Sequence, residues 1–441
     1  MKITRWLAAI TALVAGTLLA QSMQPAPSLQ TNTAGAATKK KRPPPLAMGA
    51  AFSPSGELWL VALNAEQQLF VQTSVDAGRT WSAQRVIATG SDKISADGEN
   101  RPKLAFGPKG YVIITYTEPL AKPYTGQIRM LRSEDGGRTF SEPFTVHQDR
   151  QQITHRFESV AFDSKGTLHT FWIDKRDLEA QITAATAAAA AATAAATAPP
   201  AMSVASAIPT AAPAAGGRKA RIKTDYRGAA VYRNESTDGG KTFGPDIKLA
   251  DHSCECCRIA LAPTPDGSLA ALWRHVFAPN ERDHAFMTLT QTAGSEPTRA
   301  TFDHWAIDAC PHHGPGLAPA AGGGYHAVWF GIRAGEGRAR YSQLDARGAP
   351  RGDVVALPDE RAEHAVVQSI GERVVIVWRG FDGEKTRLRA WLSKDNGRTF
   401  SLKQLGSSSD DNDHPLLLVR NDAFFALWRT TEGVRVETIT P

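Results

Sequence analysis

An eight-residue motif that occurs four times constrains the fold of this chain more than any other feature. Each copy reads Ser-x-Asp-x-Gly-[Arg/Lys]-Thr-[Trp/Phe], and the copies begin at Ser74, Ser133, Ser236 and Ser393. The Asp can hydrogen-bond backbone N–H groups of its own turn, and the Gly can adopt the positive φ that other residues resist. Because apolar alternation precedes the motif, we predict that each copy is a β-hairpin turn closed by the packing of its Trp or Phe.

A second repeat, upstream of the motif, sets the number of structural units. It consists of an apolar strand, a turn with Gly or Asp, and a second strand that often ends in an aromatic residue. The units recur at roughly 50–60 residues, which suits the four-stranded blade of a β-propeller. We therefore predict an all-β single propeller with seven blades, six blades being the alternative. The units begin near Gly49, Lys103, Ser159, Ile259, Gly316, Ala365 and Leu416.

The last unit has room for three strands but not for a fourth, because the chain ends shortly after the strand-like run 434–439. We expect a strand from the segment before residue 46 to pair with this unit. Such N-to-C strand pairing would close the ring and remove exposed sheet edges.

The motif resembles the Asp box, or BNR repeat, of the sialidase superfamily of β-propellers, and the resemblance covers nearly the whole chain. It implies that the Asp boxes are structural turns remote from the active site. It also implies three arginines on a sugar carboxylate, a Tyr nucleophile assisted by Glu, and an Asp acid/base. The Arg-Ile-Pro motif of the family is absent, and Tyr341 is in the register of an outer strand. Asp174 and Glu158 remain as the catalytic candidates for an exo-α-sialidase type of glycoside hydrolase.

The N-terminal segments predict export. Residues 1–20 resemble a secretory signal, with Lys2 and Arg5 before an apolar run that is too short to favour a membrane span. Residues 21–45 are rich in Ala, Pro, Thr and Gln and predict a disordered basic lead. The propeller is expected over 46–441, in a periplasmic or secreted protein with no membrane span after signal cleavage.

Net charge excludes one class of function. The chain has 50 Lys and Arg against 44 Asp and Glu, and six of the basic residues lie before position 43, where no acidic residue occurs. The remainder therefore balances at 44 against 44, and nothing indicates nucleic-acid binding.

One segment interrupts the third unit. It is rich in Ala, Thr and Pro and extends from Leu178 to about Gly217. Ala favours helix, so a surface helix ending before Pro199 and Pro200 is conceivable. The preferred prediction is a flexible, exposed loop.

Polar residues recur just before the first strand and just after the second strand of each unit. In a propeller these connections lie on one face around the central channel, so we predict a funnel of converging side chains. Because guanidinium groups bind carboxylate, phosphate and sulfate bidentately, such a funnel predicts an anionic or carbohydrate-like ligand. The predicted ligand-binding residues are Arg101, His155, Arg156, Arg176, Arg258, Arg274, His364, Arg379, His414 and Arg429.

All four cysteines fall on the same predicted rim, at Cys254, Cys256, Cys257 and Cys310. In an exported protein disulfides are the first expectation, and four cysteines allow three pairings. The alternative is a copper or zinc site, in which the thiolates act with neighbouring histidines. The arrangement resembles a subset of exported bacterial Asp-box proteins that share Cys-x-Cys-Cys and a later Cys-Pro. The candidate histidine ligands are His312, His313 and His252.

Three hypotheses for function follow. The first is recognition of an anionic or carbohydrate-like ligand at the rim, with exo-sialidase-type hydrolysis as its enzymatic form and no cofactor required. The second is a periplasmic metal-binding or redox protein that uses the cysteine and histidine cluster. The third is a non-catalytic scaffold for a protein partner.

Overall fold

The computed structural model describes residues 44–197, 224, 226–290, 296–309 and 311–440. Within these ranges the strands form seven antiparallel sheets, six with four strands and one with three. In every sheet the strands follow each other in chain order, so each sheet is one meander. The prediction of an all-β propeller with seven blades is therefore confirmed, and the six-bladed alternative is wrong.

The first four blades contain strands β1 to β16. Blade 1 has β1 (Gly49–Phe52), β2 (Leu58–Leu63), β3 (Leu69–Ser74) and β4 (Arg85–Val86). Blade 2 has β5 (Lys103–Phe106), β6 (Val112–Pro119), β7 (Gly126–Ser133) and β8 (Phe144–Thr145). Blade 3 has β9 (His155–Phe162), β10 (Leu168–Asp174), β11 (Ala229–Ser236) and β12 (Ile247–Ser253). Blade 4 has β13 (Ala260–Pro263), β14 (Leu269–Arg274), β15 (His284–Thr288) and β16 (Thr298–Arg299).

The other three blades contain strands β17 to β27. Blade 5 has β17 (Gly316–Pro319), β18 (Tyr325–Arg333), β19 (Glu336–Leu344) and β20 (Pro350–Ala356). Blade 6 has β21 (Ala362–Ile370), β22 (Arg373–Phe381), β23 (Thr386–Ser393) and β24 (Ser401–Ser408). Blade 7 has β25 (Leu416–Arg420), β26 (Ala423–Thr430) and β27 (Gly433–Ile439). A 3-10 turn, Pro108–Gly110, joins β5 to β6.

Each Asp box is the turn between the third and fourth strands of its blade. In blade 2, the Asp135 carboxylate accepts hydrogen bonds from the Thr139 backbone N–H at 2.9 Å and from the Thr139 hydroxyl at 2.7 Å. Gly137, at φ 83°, donates its N–H to Ser133 Oγ at 2.8 Å. Because antiparallel strands alternate in direction, this turn lies at the end of the blade opposite to the connection that enters its first strand. The Asp boxes therefore lie on the face opposite to the predicted rim.

The core lies between neighbouring blades, and a buried tryptophan occupies the same part of the second strand in five of them. Three of these indoles donate Nε1–H to a carboxylate, as Trp378 does to Asp359 at 2.8 Å. Burial of so large an apolar side chain, with its one polar atom paired, stabilises the contact between adjacent blades. The five are Trp172, Trp273, Trp329, Trp378 and Trp428.

Blades 1 and 7 meet through side chains. The rings of Phe52 and Phe425 lie 4.8 Å apart in an edge-to-face arrangement, and the Met48 N–H donates to Asp413 Oδ2 at 3.1 Å. Among the residues that the structure describes, no fourth strand pairs with β27. The strand expected from the segment before residue 46 falls almost wholly on residues 1–43, which lie outside those described, so N-to-C strand pairing stays a prediction.

The interrupting segment begins as a helix, α1 (Arg176–Thr197). The preferred prediction of a flexible loop is thus wrong for residues 178–197. The reason is the alanine content, since Ala has the highest helix propensity and loses no side-chain entropy in a helix. Asp177 and Glu179 in the first turn also favour the positive end of the helix dipole. Residues 198–223 lie outside the described ranges, and no described helix is long and apolar enough to cross a membrane.

Candidate functional site

A compact polar cluster lies at the mouth of the channel, where connections from several blades converge. Glu99 precedes β5, Arg258 precedes β13, His364 belongs to β21 and His414 precedes β25. Arg258 Nη1 lies 2.8 and 3.1 Å from the two Glu99 oxygens, and His364 Nδ1 lies 3.1 Å from Oε1. His414 Nδ1 lies 3.8 Å from the same oxygen. Glu99 is therefore the centre of the cluster, and it was not among the predicted residues although it lies two positions before Arg101.

Three imidazoles stack beside Glu99. Ring centroids are 4.5 Å apart for His313 and His364, and 3.3 Å apart for His364 and His414. Burial, followed by the neighbouring His364, lowers the pKa of His313 to about 3. Burial likewise lowers the pKa values of His364 and His414. The three rings are therefore neutral at neutral pH, which is the form that binds metal ions.

Glu99 is ionised within this cluster. Burial opposes its charge, but Arg258 and then His364 hold the pKa of the carboxyl well below its usual range. The Arg258 guanidinium is itself fixed, since Nε donates to the Pro315 carbonyl at 3.0 Å and Nη2 to the Ala365 carbonyl at 2.8 Å. A buried carboxylate and neutral imidazoles thus face one another across the mouth.

Other rim arginines at the mouth are already paired. Arg101 binds the buried Asp413 carboxylate bidentately, with both N–O distances at 3.0 Å. Arg379 Nε lies 2.9 Å from Glu363 Oε1, and its Nη1 donates to the Asn412 carbonyl at 2.7 Å. The structure therefore brings Arg101, Arg258, Arg379, His364 and His414 together, but internal partners use most of the guanidinium donors, and their role in ligand binding stays a prediction.

A second polar cluster lies between blades 2 and 3. Arg176 Nη2 lies 2.7 Å from Asp174 and 2.9 Å from Asp246, and the guanidinium stacks over a tyrosine ring at 4.2 Å. The fully buried His155 has Nε2 3.6 Å from both Asp174 and Asp149. His155 and Arg176 thus do not join the mouth cluster, and the Asp174 carboxylate is engaged by Arg176 and the Trp172 indole.

The remaining rim arginines bind carbonyl groups or an aromatic ring. Arg274 donates to the carbonyl oxygens of Arg282, His313 and Phe330 at 2.7–2.9 Å. Arg429 donates to the Leu63 carbonyl at 3.1 Å. The Arg156 guanidinium lies 4.9 Å from the centre of the Phe157 ring. These contacts tie neighbouring segments together and leave no convergent anion site.

The features that a sialidase site requires do not assemble among the residues described. Glu158 is fully buried, and its carboxylate lies 3.1 Å from the Thr117 hydroxyl and 3.8 Å from Lys103 Nζ. Tyr341 lies on β19, the third strand of its blade, and its hydroxyl is 2.8 Å from His326 Nδ1. The other buried tyrosines with hydroxyl hydrogen bonds contact aspartates, so no Tyr–Glu pair faces the arginines.

A cavity of about 240 Å³ lies in the channel, among the first strands of blades 1, 2, 3, 4 and 7. Lys103 lines it, and its Nζ donates to the Arg101 carbonyl at 2.6 Å. Burial lowers the pKa of this lysine, against the opposing effect of Glu158. Ser159, Ile259 and other mostly apolar side chains complete the lining.

Three cysteine sulfurs converge in the connection between β12 and β13. Cys254 Sγ lies 3.8 Å from Cys256 Sγ, which lies 3.9 Å from Cys257 Sγ, and all three atoms are within 4.8 Å of one another. The Cys254 N–H donates to the Arg274 carbonyl at 2.9 Å, which holds this turn on the end of β14. A disulfide requires about 2.05 Å between sulfurs, so none joins any two of these three.

The sulfurs are buried against the hydrophobic core between blades 3 and 4. Burial raises the pKa of the Cys257 thiol, and Arg282 Nη1 lies 3.6 Å from Cys254 Sγ. Cys310 lies outside the described residues, so the prediction that it takes part stays open.

The candidate histidines do not join the sulfur cluster. His313 belongs to the mouth cluster and His312 is exposed. His252 Nδ1 accepts the Arg227 N–H at 3.0 Å.

Comparison with known proteins identifies the fold but not a family. No protein-family model matches the chain, and no curated protein matches it by sequence. A PL25 ulvan lyase bound to -[GlcA(1-4)Rha3S]- matches with a TM-score of 0.53 and 12% identity, over 90% of this chain and 93% of that chain. The polysaccharide lyase Uly1 matches with a TM-score of 0.50 and 8% identity, over 91% and 90%. YCF48 bound to D1 peptide matches with a TM-score of 0.47 and 15% identity, over 91% of this chain and 95% of that chain.

The two lyase matches agree with the observed seven-bladed propeller. Identities this low concern the fold alone. The Asp-box type of propeller is therefore supported, and membership of the sialidase superfamily stays a prediction.

Proposed function

We propose that this chain is an exported protein that binds a thiophilic metal ion, copper(I) or zinc, through Cys254, Cys256 and Cys257. The observation that carries the proposal is the spacing of the sulfurs, 3.8 and 3.9 Å between successive residues. Thiolates at 2.3 Å from a tetrahedral zinc ion stand about 3.8 Å apart. The same three sulfurs also suit copper(I), because this ion accepts a low coordination number and prefers soft ligands such as thiolates.

The surroundings of the sulfurs support metal binding. The three side chains are buried, so three thiolates without an ion would bear a large desolvation cost. The Arg282 guanidinium near Cys254 offsets part of the negative charge that remains after an ion binds.

The alternative hypothesis is a disulfide, which is the first expectation for cysteines in an exported chain. A bond between any two of the three would need their sulfurs to move closer by almost 2 Å, and it would remove two ligands. The metal-site hypothesis predicts reduced thiols in the mature protein, whereas the disulfide hypothesis predicts oxidised ones. A count of thiols therefore separates the two.

The test uses protein exported with its signal and purified under argon. We expect bound copper or zinc by elemental analysis, free thiols after removal of the metal, and competition with bicinchoninate for one equivalent of copper(I). Cys256→Ser should abolish this competition, while His312→Gln, an exposed neighbour on the same face, should retain it. Full-length protein in which the described cysteines are oxidised in pairs, with no metal uptake, would overturn the proposal. A Cys310→Ser variant in the same assay tests the prediction for that residue.

A second candidate function is recognition of an acidic carbohydrate at the channel mouth. The 240 Å³ cavity, with Lys103 in its lining, is the observation that favours it. A match of fold to a lyase bound to a uronate-containing saccharide agrees with this candidate. Calorimetric titration with sulfated and uronate oligosaccharides should show binding that Lys103→Met weakens, and a fluorogenic sialoside tests the sialidase form.

A further inference from the structure

We infer that the channel mouth holds a second metal site, in which Glu99, His364 and His414 bind a divalent transition-metal ion of borderline softness, such as Zn²⁺, Cu²⁺ or Fe²⁺. This site uses oxygen and nitrogen donors, whereas the cysteine site uses sulfur. Two histidines and one carboxylate form a donor set that proteins use for such ions. The inference does not rest on the proposal for the cysteines, because no residue is shared.

The distances between the donor atoms suit one ion. Glu99 Oε1 lies 3.1 Å from His364 Nδ1 and 3.8 Å from His414 Nδ1, and donor atoms of all three residues lie within 4.8 Å of one another. Ligand atoms at 2.0–2.1 Å from an ion stand about 3.0–3.4 Å apart when the angle between them is 90–110°. Relative to Glu99 Oε1, His364 Nδ1 is already at such a distance, and His414 Nδ1 would have to approach by a few tenths of an ångström.

The chemistry of the imidazoles favours an ion over a ligand that accepts hydrogen bonds. His414 Nδ1 and His313 Nδ1 are buried atoms with no hydrogen-bond partner among the described residues. The unpartnered Nδ1 of His414 offers its lone pair to an ion at no cost in lost hydrogen bonds, whereas Nδ1 of His364 would exchange its hydrogen bond to Glu99 for a bond to the ion. The ring of His364 is 7% exposed, and its Nε2 lies 3.9 Å from Glu363 Oε2, close to a carboxylate but beyond hydrogen-bond distance.

Charge at the mouth limits the ion to one with strong nitrogen affinity. Arg258 neutralises Glu99 at 2.8 Å, so the cluster lacks the excess of negative charge that Ca²⁺ or Mg²⁺ requires. The same guanidinium fixes the carboxylate toward the two rings, and two contacts to backbone carbonyls keep Arg258 itself in place. The two imidazoles therefore determine which ion the site prefers, and Glu99, held in position by Arg258, is the third ligand.

The experiment is an anaerobic titration with Co²⁺ of full-chain protein that carries Cys256→Ser, which removes the central sulfur of the cysteine cluster whether or not that cluster binds a metal ion. We expect one equivalent of Co²⁺ with visible d–d bands and no sulfur-to-cobalt charge-transfer band. Glu99→Gln and His414→Gln should each weaken binding at least tenfold. Paramagnetic broadening in ¹⁵N-histidine spectra of the wild-type protein should affect His364 and His414 first.

A matched control removes a histidine from a different acidic cluster. The exposed His304 lies with the half-buried Glu281 and the buried Asp283, and donor atoms of these three residues are also close together. His304→Gln should leave the Co²⁺ affinity unchanged. Loss of binding in His304→Gln but not in His414→Gln would overturn the inference, as would the absence of histidine broadening in the wild-type protein. The broadening measurement decides the matter even if Glu99→Gln does not fold.

Discussion

The ion pair between Arg101 and Asp413 offers a sharp test of how the ring is closed. It joins the connection before blade 2 to the connection before blade 7, and Asp413 also accepts the Met48 N–H ahead of blade 1. The side chains are only 9% and 2% exposed. Asp413→Ala would leave a buried guanidinium without its partner, so we expect the free energy of unfolding to fall by about 3–5 kcal/mol.

A matched variant and a rescue variant define the comparison. Glu336 pairs with Arg338 at 3.3 Å but is 69% exposed, so Glu336→Ala should cost no more than about 1 kcal/mol. Burial raises the pKa of Asp413 in spite of Arg101, which indicates that desolvation offsets much of the attraction. Arg101→Met with Asp413→Leu should therefore recover most of the loss.

The assay is urea unfolding of the mature protein followed by tryptophan fluorescence, with refolding checked for each variant. Asp413→Ala should also displace His414, the next residue, whose backbone N–H donates to the Asp413 carboxylate at 2.7 Å. If Asp413→Ala proved no more costly than Glu336→Ala, the ion pair would not be a closing contact and the reasoning would be refuted.

Three further predictions concern the turn, the core and the cysteines. Hydrogen bonds from Thr80 lower the pKa of Asp76 to about 2. The stabilising effect of the Asp76 carboxylate is therefore complete above about pH 4 and is lost as the pH falls toward 2. The thermal midpoints of Asp76→Asn and wild type should differ at pH 7 and converge near pH 2. Trp378→Ala should lower the free energy of unfolding by about 3–5 kcal/mol in the urea assay, since the indole is fully buried. Zinc at a hundred times its Kd should stabilise the protein by about 2.7 kcal/mol, and Cys256→Ser should remove this shift in calorimetry.

The blade count could be read from the sequence because it depends on local chemistry. A Ser-x-Asp-x-Gly turn needs only residues within the same octet, as the contacts of Ser133, Asp135 and Thr139 show. The spacing of these turns indicates which strand of a blade each segment forms. It therefore also identifies the second strands, near whose ends the tryptophans lie. Helix α1 forms where a loop was the preferred prediction, because the helix propensity of a run of alanines exceeds the tendency of a low-complexity segment to stay irregular.

The rim residues could also be identified from local sequence patterns, but the residues that they contact could not. Arg258 is 159 positions from Glu99, and Arg101 is 312 positions from Asp413. No pattern in one sequence pairs such residues, and the arginines that suggested an anion site have internal partners: carboxylates for Arg101, Arg176, Arg258 and Arg379, and carbonyl groups or an aromatic ring for the others. Glu99 was missed for the same reason, since only ring closure brings it to His364 and His414.

What the sequence by itself determined was the repeating turn, the number of blades and the face on which polar and sulfur-containing side chains gather. Only the tertiary structure shows which charges neutralise one another, which imidazoles among the described residues have unpartnered nitrogens, and that successive sulfurs of Cys254, Cys256 and Cys257 lie 3.8 and 3.9 Å apart and are not bonded to one another. The physical reason is the range of the interactions. Turn and strand propensities act over a few residues, whereas a site in a propeller channel is assembled by connections that only the closed ring brings together.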